Sequence, residues 1–409
     1  MNCRFCNNQL TDELIDLFNS PAANSFLSAE QLNEAEVFFP LKVLVCKNCF
    51  LVQIDEYKKS TAIFDNEYVY FSSYSTSWLA HAKKYAQVIT DKLTLDSKSL
   101  VVEIASNDGY LLQYFKEKKI PVLGIEPTGN TAEVARSKGI ETISEFFGIR
   151  LATTLVRQDI QADLLIGNNV LAHVPDINDF VAGMKLMLKP KGVITMEFPH
   201  LMELIANNQF DTIYHEHYSY LSLFSVQRIF NKHGLGIFDV EQLSTHGGSL
   251  RIYCKHLDNS EKSVSPNVKR VLSMEINQGV DNIHYYSGFK QKAEKIKTDL
   301  LTQLIEFRNS GKKVAAYGAA AKGNTLLNFC GIKSDFIQFV VDANPSKQGK
   351  FLPGSHIPVV HEMAIKNEKP DIIIIFPWNL SDEIMTQLDY VRTWGCKFLI
   401  PIPSVELID

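Results

Sequence analysis

From Ser99 onward one alternation repeats along the chain: a short apolar run, a polar turn, then a stretch with apolar positions at helical spacing. Such a pattern predicts strands and helices in turn. Leu100-Val101-Val102-Glu103-Ile104 is the first run, Ser106-Asn107-Asp108-Gly109 the turn behind it, Tyr110 to Lys119 the expected helix, and Val122-Leu123-Gly124-Ile125-Glu126 the second strand. This is a βαβ unit. It continues with a helix near Thr131 to Lys138, a strand Ala162 to Gly167, a helix Asp176 to Leu188 and a strand Gly192 to Phe198, the order of an open parallel sheet.

Residues 260 to 310 are mostly polar with helical spacing and read as one or two linking helices. A second βαβ pattern starts at Lys313-Val314-Ala315-Ala316-Tyr317-Gly318. Strands are expected near Phe339 to Val341, Ile372 to Phe376 and Phe398 to Ile400, with a helix Asp382 to Thr393 before the last. Residues 1 to about 60 lack long periodic elements and suit a small metal-stapled module. The fold class expected is therefore α/β, in three segments: 1–65, 66–258 and 259–409.

Composition narrows the function classes. A chain of 409 residues exceeds the ~150 of a typical domain, and 45% hydrophobic with 21% charged residues is the balance of a fully folded globular protein. The net charge of -5 and pI near 6.1 offer no concentrated basic surface for a nucleic acid. No apolar stretch approaches the ~20 residues of a membrane span, and Met1-Asn2-Cys3-Arg4-Phe5-Cys6 has no signal-peptide character. A cytoplasmic protein with no nucleic-acid and no membrane partner is expected.

Four of the seven cysteines pair by spacing. Cys3 with Cys6 and Cys46 with Cys49 each form C-x2-C, so four thiolates complete the tetrahedron that structural zinc prefers. With every position filled by sulfur, the metal has no open place for chemistry. Cys254, Cys330 and Cys396 sit among apolar neighbours and read as core residues.

In an open α/β sheet the ligand lies beyond the carboxyl ends of the strands. Here that place is the turn Glu103 to Gly109. The G-x-G-x-x-G of a dinucleotide site is missing, so a cofactor without phosphates fits better. S-adenosylmethionine needs close backbone approach and an acid for its ribose hydroxyls. Glu126, followed by Pro127, supplies the acid, while Glu103, Ser106, Asn107 and Gly109 line the turn and Asn168 and Asn169 follow the next strand. Ala105 stands where such turns often carry Gly and is expected at negative φ.

These motifs carry a resemblance. The paired cysteines, Tyr70-Phe71-Ser72-Ser73-Tyr74-Ser75, Val102-Glu103-Ile104-Ala105-Ser106-Asn107-Asp108-Gly109, Asn168-Asn169-Val170-Leu171-Ala172-His173-Val174, Tyr214-His215-Glu216-His217, Thr245-His246-Gly247-Gly248-Ser249 and Gly318-Ala319-Ala320-Ala321-Lys322-Gly323-Asn324 occur in this order. The chain resembles the sugar C-methyltransferases of deoxysugar biosynthesis over nearly its whole length. The resemblance implies a zinc-binding module, a central Rossmann-like class I methyltransferase domain and a C-terminal Rossmann-like domain. It also implies methyl transfer from S-adenosylmethionine to C3 of a nucleotide-linked 4-keto-6-deoxysugar, commonly a dTDP sugar. Carried over residue by residue, it makes His217 the base, with Tyr214 and Glu216 assisting.

Histidine suits that role, because a carbon beside a ketone is acidic only through its enolate. The reaction needs a base near neutrality and a donor for the oxyanion, and Tyr214 is the candidate donor. Lys322 and Asn324, at the start of a helix, are candidates for contact with the nucleotide diphosphate, although Lys322 precedes the second Gly and the run is no Walker motif. Tyr74 and His173 are further candidates for substrate contact. Two other readings remain: an oxidoreductase or isomerase using a nucleotide cofactor, and a zinc-ribbon module that binds S-adenosylmethionine without turnover. A monomer is expected, since three domains can enclose a cleft.

Overall fold

The computed structural model describes residues 1–64 and 70–409. The N-terminal segment holds more regular structure than its sequence texture implied. β1 (Asp12–Ser20), β2 (Phe39–Val45) and β3 (Val52–Ile54) form an antiparallel meander. Its inward positions Ile15, Leu41, Val43 and Ile54 are fully buried or nearly so.

The middle segment is a seven-stranded sheet built from β4 (Val101–Ile104), β5 (Val122–Ile125), β6 (Thr142–Ile143), β7 (Ala162–Asn168) and β8 (Leu188–Pro199), which run parallel. A short strand, β9 (Ser219–Tyr220), leaves this segment to pair with β3 and completes the N-terminal sheet. β10 (Leu235–Leu243) and β11 (Ser249–His256) then return to the large sheet as an antiparallel hairpin against β8. The strand order is β10-β11-β8-β7-β4-β5-β6. Adjacent β5 and β7 lie on either side of β4 and the chain reverses direction around it, so the turn after β4 opens at the switch point where such sheets bind ligands. The expected helix Tyr110 to Lys119 is confined to Leu112–Glu117, because Tyr110 and Leu111 are still part of the turn.

Residues 260 to 310 form two helices, Pro266–Gln278 and Phe289–Asn309. The last third is a six-stranded sheet of β12 (Val314–Tyr317), β13 (Val340–Val341), β14 (Val359–Val360), β15 (Ile372–Ile375), β16 (Lys397–Ile400) and β17 (Glu406–Ile408), parallel except for β17. The helix expected over Asp382 to Thr393 is shorter: it runs Ser381–Gln387 and tightens into a 3-10 stretch Asp389–Trp394 that ends at Gly395, φ 81°. Cys254, Cys330 and Cys396 are buried core residues as their neighbours implied.

The apolar cores ignore segment boundaries. Leu14, Ile15 and Val43 pack in one cluster with Phe210, Ile213 and Tyr218 and with Leu326, Val340 and Ile372. Burial at roughly 25 cal/mol per Å² of apolar surface therefore ties all three segments together. Among the described residues no helix is long and apolar enough to cross a membrane.

Candidate functional site

The four paired cysteines meet. Each C-x2-C turns through the residue after its second cysteine, Asn7 at φ 61° and Phe50 at φ 59°, whose N–H returns to the carbonyl of the first cysteine at 2.9 and 2.7 Å. All four Sγ atoms lie within 4.8 Å of one another. The pairs Cys3–Cys49 and Cys6–Cys46 are both 3.5 Å apart, near the ~3.8 Å edge of a tetrahedron with zinc–sulfur bonds of ~2.3 Å. Gln53 Nε2 stands 3.2 Å from Cys3 Sγ, a donor that moderates thiolate charge. The donor set fits a structural zinc.

The turn after β4 is tightly wound. Ala105, Asn107 and Gly109 all have positive φ, at 56°, 50° and 75°. The expectation for Ala105 is thus corrected: it occupies the left-handed region, at a cost on the order of 1 kcal/mol for a residue with a Cβ. The price is met by the bonds around it. The Asn107 N–H donates to Glu126 Oε2 at 2.8 Å, and Glu126 Oε1 accepts from the Thr128 N–H at 2.9 Å and from the Thr128 hydroxyl. Gly109 is required by its φ and by space, since a Cβ there would run into Ile140.

The Asn107 side chain is already used. Its Oδ1 accepts from the Ser72 N–H at 2.9 Å and its Nδ2 donates to the Tyr70 carbonyl at 3.1 Å, so it pins the segment that carries Tyr74. Tyr74 itself is exposed and leans on Phe71. Glu103 is wholly buried, and neither carboxylate oxygen has a hydrogen bond of ordinary geometry among the described residues. Burial pushes its carboxyl well above the usual range, opposed by the Tyr110 hydroxyl. Ser106 Oγ, Asp108 Oδ1 and Asn169 Oδ1 are likewise buried without partners. Asn169, at φ 53°, donates its N–H to the Glu197 carbonyl at 2.7 Å, and Asn168 Nδ2 reaches the Tyr110 hydroxyl at 3.3 Å. Pro127 is half-buried beside Glu126. A buried acid with no cationic partner among the described residues, on a turn that carries further unpaired polar atoms, fits S-adenosylmethionine, which brings an ammonium and a sulfonium.

A second constellation lies where the three segments meet. His217 Nδ1 is 2.8 Å from the Thr212 carbonyl, and its ring lies 4.0 Å from that of Tyr214 and 4.6 Å from that of His173. Burial pushes His217 well below the ordinary imidazole range, and His173, His246 and Lys322 also oppose a positive charge there. His173 is pushed down to about 4 by burial. Tyr214 is pushed well above the usual phenol range, again chiefly by burial. Glu216 accepts from Asn24 Nδ2 at 2.7 Å, and burial pushes its carboxyl up to about 7 against the pull of Asn24 and Lys58. His215 points elsewhere, toward the Pro40 carbonyl at 3.2 Å and the edge of Phe39.

Lys322 is brought to this place by the helix Ala321–Cys330. Its ammonium donates to Asn379 Oδ1 at 2.7 Å and lies 4.4 Å over the Trp378 ring. Asn324 is placed differently: its Nδ2 donates to the Ala23 carbonyl at 2.6 Å and ties the helix to the N-terminal segment, while its Oδ1 has no partner among the described residues.

The sequence reading missed several groups here. Trp78 is stacked between Tyr110 and His81, at 5.9 and 5.0 Å, with the edge of His246 at 5.2 Å. Glu197, at the end of β8, accepts from Arg251 at 2.5 Å, from the Thr245 hydroxyl at 2.9 Å and faces His81 at 2.9 Å. Asp211 accepts from the Trp378 indole at 2.7 Å, and burial pushes it up to about 6 against Lys322. Glu197 carried the signal used for Glu126, an acid closing a strand. Trp78 and Asp211 carried none.

The fold and these sites define a class, and comparison with known proteins agrees. Residues 78–240 match the family model of a methyltransferase domain, residues 3–64 that of a zinc binding domain, and residues 244–403 that of a C-methyltransferase C-terminal domain. The protein is an S-adenosylmethionine-dependent methyltransferase with a zinc-binding module. It is 33% identical to the C-methyltransferase NovU of Streptomyces niveus over 406 residues, covering 99% of this chain and 96% of that one. The chain belongs to the sugar C-methyltransferase family. Solved structures with similarity include magnesium protoporphyrin IX methyltransferase of Synechocystis PCC 6803 with bound SAM, at 12% identity, 44% of this chain, 80% of that one and a TM-score of 0.33. The CcbJ methyltransferase of Streptomyces caelestis is another, at 10% identity, 43% and 89% coverage and a TM-score of 0.35.

Proposed function

We propose that this C-methyltransferase acts on C3 of a nucleotide-linked 4-keto-6-deoxysugar, with dTDP as the nucleotide, through an enolate that His217 generates. The observation that carries this reading is the bond from His217 to Thr212. A carbonyl can only accept, so Nδ1 holds the proton and Nε2 keeps its lone pair. Burial keeps the ring neutral, and a neutral ring with a free Nε2 is the form that removes a proton. Tyr214 stays protonated for the same reason and donates to the oxyanion of the enolate.

Glu216, held by Asn24, contacts the sugar or orients it, and His173 walls the base on one side. Bound S-adenosylmethionine supplies an electrophilic methyl group, its ribose met by Glu126 and its amino acid end by the turn from Glu103 to Gly109 with Asn168 and Asn169. Lys322 offers a cation to the diphosphate, and Tyr74 and Asn324 lie on the segments that border the substrate. Groups from segments 1–65, 66–258 and 259–409 of one chain converge on this place, which supports a monomer that works alone.

The test is methyl transfer to dTDP- and GDP-linked 4-keto sugars by wild type and His217→Asn. Turnover should fall by ~10²- to 10⁴-fold while S-adenosylmethionine still binds. In deuterated water with S-adenosylhomocysteine, wild type should exchange the C3 proton and the variant should not. Near-normal turnover or exchange in His217→Asn refutes its role as base, and His173 is then the next group to replace.

A further inference from the structure

The loop between β10 and β11 holds His246 in an unusual state. Its backbone is left-handed, φ 55° and ψ 24°, which few residues other than Gly and Asn adopt without strain. Three bonds fix the loop in this shape. The Thr245 hydroxyl reaches Glu197 Oε1 at 2.9 Å, Ser249 Oγ reaches the Thr245 carbonyl at 2.9 Å, and Gln209 Nε2 reaches the Gly247 carbonyl at 2.8 Å. Gly247, at φ 83°, leaves room for the Trp378 ring of the C-terminal segment, which a Cβ would strike.

The loop thereby delivers one imidazole to the border of both sites. Its edge meets Trp78 at 5.2 Å, and Trp78 stacks on Tyr110 beside the cofactor turn. The next residue, Gly247, packs against Trp378, and the Lys322 ammonium lies 4.4 Å over that ring, so the loop also borders the groups around the base. Its Nδ1 is buried and has no hydrogen-bond partner among the described residues. A buried polar atom held in a strained, fixed backbone and free to make a hydrogen bond is suited to recognising a ligand group.

The methyl group and the base must reach the same carbon, so a side chain bordering both faces the substituents around that carbon. We propose that His246 is a specificity-determining residue whose imidazole hydrogen-bonds a hydroxyl or amino substituent of the sugar at or next to the methylated carbon. This rests on the sugar-nucleotide reading above and adds a residue and a chemical feature to it. The ring is neutral near pH 7, since burial and Lys322 push it down to about 4, so it offers one donor and one acceptor.

Two variants suit the backbone. His246→Gly removes the imidazole and relieves the left-handed strain, and His246→Asn keeps a polar group in a residue that tolerates this region. The probes are dTDP-4-keto-6-deoxyglucose and its analogues with hydrogen in place of the C2 or C3 hydroxyl. In His246→Gly, kcat/KM for the hydroxylated sugar should fall roughly 10- to 100-fold, and one deoxy analogue should lose its disadvantage by a like factor. Melting temperature and the S-adenosylmethionine dissociation constant should hold, and His246→Asn should recover part of the loss. A merely structural residue would instead lower stability without changing discrimination. Equal discrimination by an active wild type and His246→Gly overturns this proposal alone. A wild type that binds S-adenosylmethionine but leaves dTDP-, UDP- and GDP-linked 4-keto sugars unmethylated overturns the sugar reading and this proposal with it.

Discussion

Replacing Glu197 by Gln tests whether the charged cluster at the end of β8 holds the site together. Glu197 has no exposed side-chain surface, and Arg251, 7% exposed, lies 2.5 Å from it. Burial alone would raise this carboxyl, but His81 and Arg251 outweigh it and hold it at about 2 against an ordinary 4.5. At ~1.4 kcal/mol per pKa unit the difference is about 3 kcal/mol, in line with the 3–5 kcal/mol lost when a buried pair is broken from one side. The folded pKa lies below the unfolded one. The stabilisation is therefore complete above about pH 4.5 and is lost as pH falls toward about 2. Urea unfolding of wild type and Glu197→Gln, followed by tryptophan fluorescence, should show a gap of about 3 kcal/mol at pH 7 and 5 that shrinks to about 2 kcal/mol at pH 3.5. Trp78 reports on the network directly, since its ring stacks on His81 at 5.0 Å. A gap below ~1 kcal/mol at pH 7, or one that does not shrink in acid, would refute the reasoning.

Metal analysis should find one zinc per chain in wild type and none in Cys46→Ser, which should also melt at a lower temperature because the four-thiolate site contributes to folding directly; freshly prepared wild type without zinc would end this claim. Glu126→Ala should weaken S-adenosylmethionine binding by roughly 10- to 150-fold in calorimetry. It should also lower stability, since the N–H groups of Asn107 and Thr128 lose their acceptor; an unchanged dissociation constant would place the ribose elsewhere. Gly109→Ala should cost more than ~1 kcal/mol in thermal unfolding, from its left-handed φ and the collision with Ile140, and a neutral result would show that the turn can relax.

Local signals were readable and distant pairings were not. The C-x2-C spacings and the run from Val101 to Ile125 each encode geometry within a few residues, and the structure realises both. The helix Thr76–Leu93 was missed although Trp78, Ala82, Tyr85, Ala86 and Ile89 are buried at helical intervals, because the polar residues between them broke up the apolar pattern. β9 could not be read, because two residues make a strand only when β3 supplies the other half of the ladder. The positive φ of Ala105 was invisible for a related reason: propensity favours the opposite sign, and the turn is held by the bond from the Asn107 N–H to Glu126, which lies beyond the next strand and is itself held by Thr128.

The reacting groups show why spacing alone does not define such a site. Asn24, His217 and Lys322 come from three parts of the chain; the runs around His217 and Lys322 marked those two, while nothing beside Asn24 marked it. Bringing them out of water is what gives them chemical character. Desolvation disfavours the charged form of every group, so one physical cause lowers His217 and raises Tyr214 and Glu216. Carbanion chemistry needs a base that is not already protonated and a donor that is not already ionised, and burial sets both in the required direction. Lys322 strengthens the first effect, because a cation nearby opposes protonation of His217 and His246 alike. The partly compensating acid, Asp211, is itself raised to about 6, with its Oδ2 taken by the Trp378 indole. Burial and His173 dominate the shift at His217, and Lys322 adds to it from the C-terminal segment, where Asn379 and Trp378 hold its ammonium.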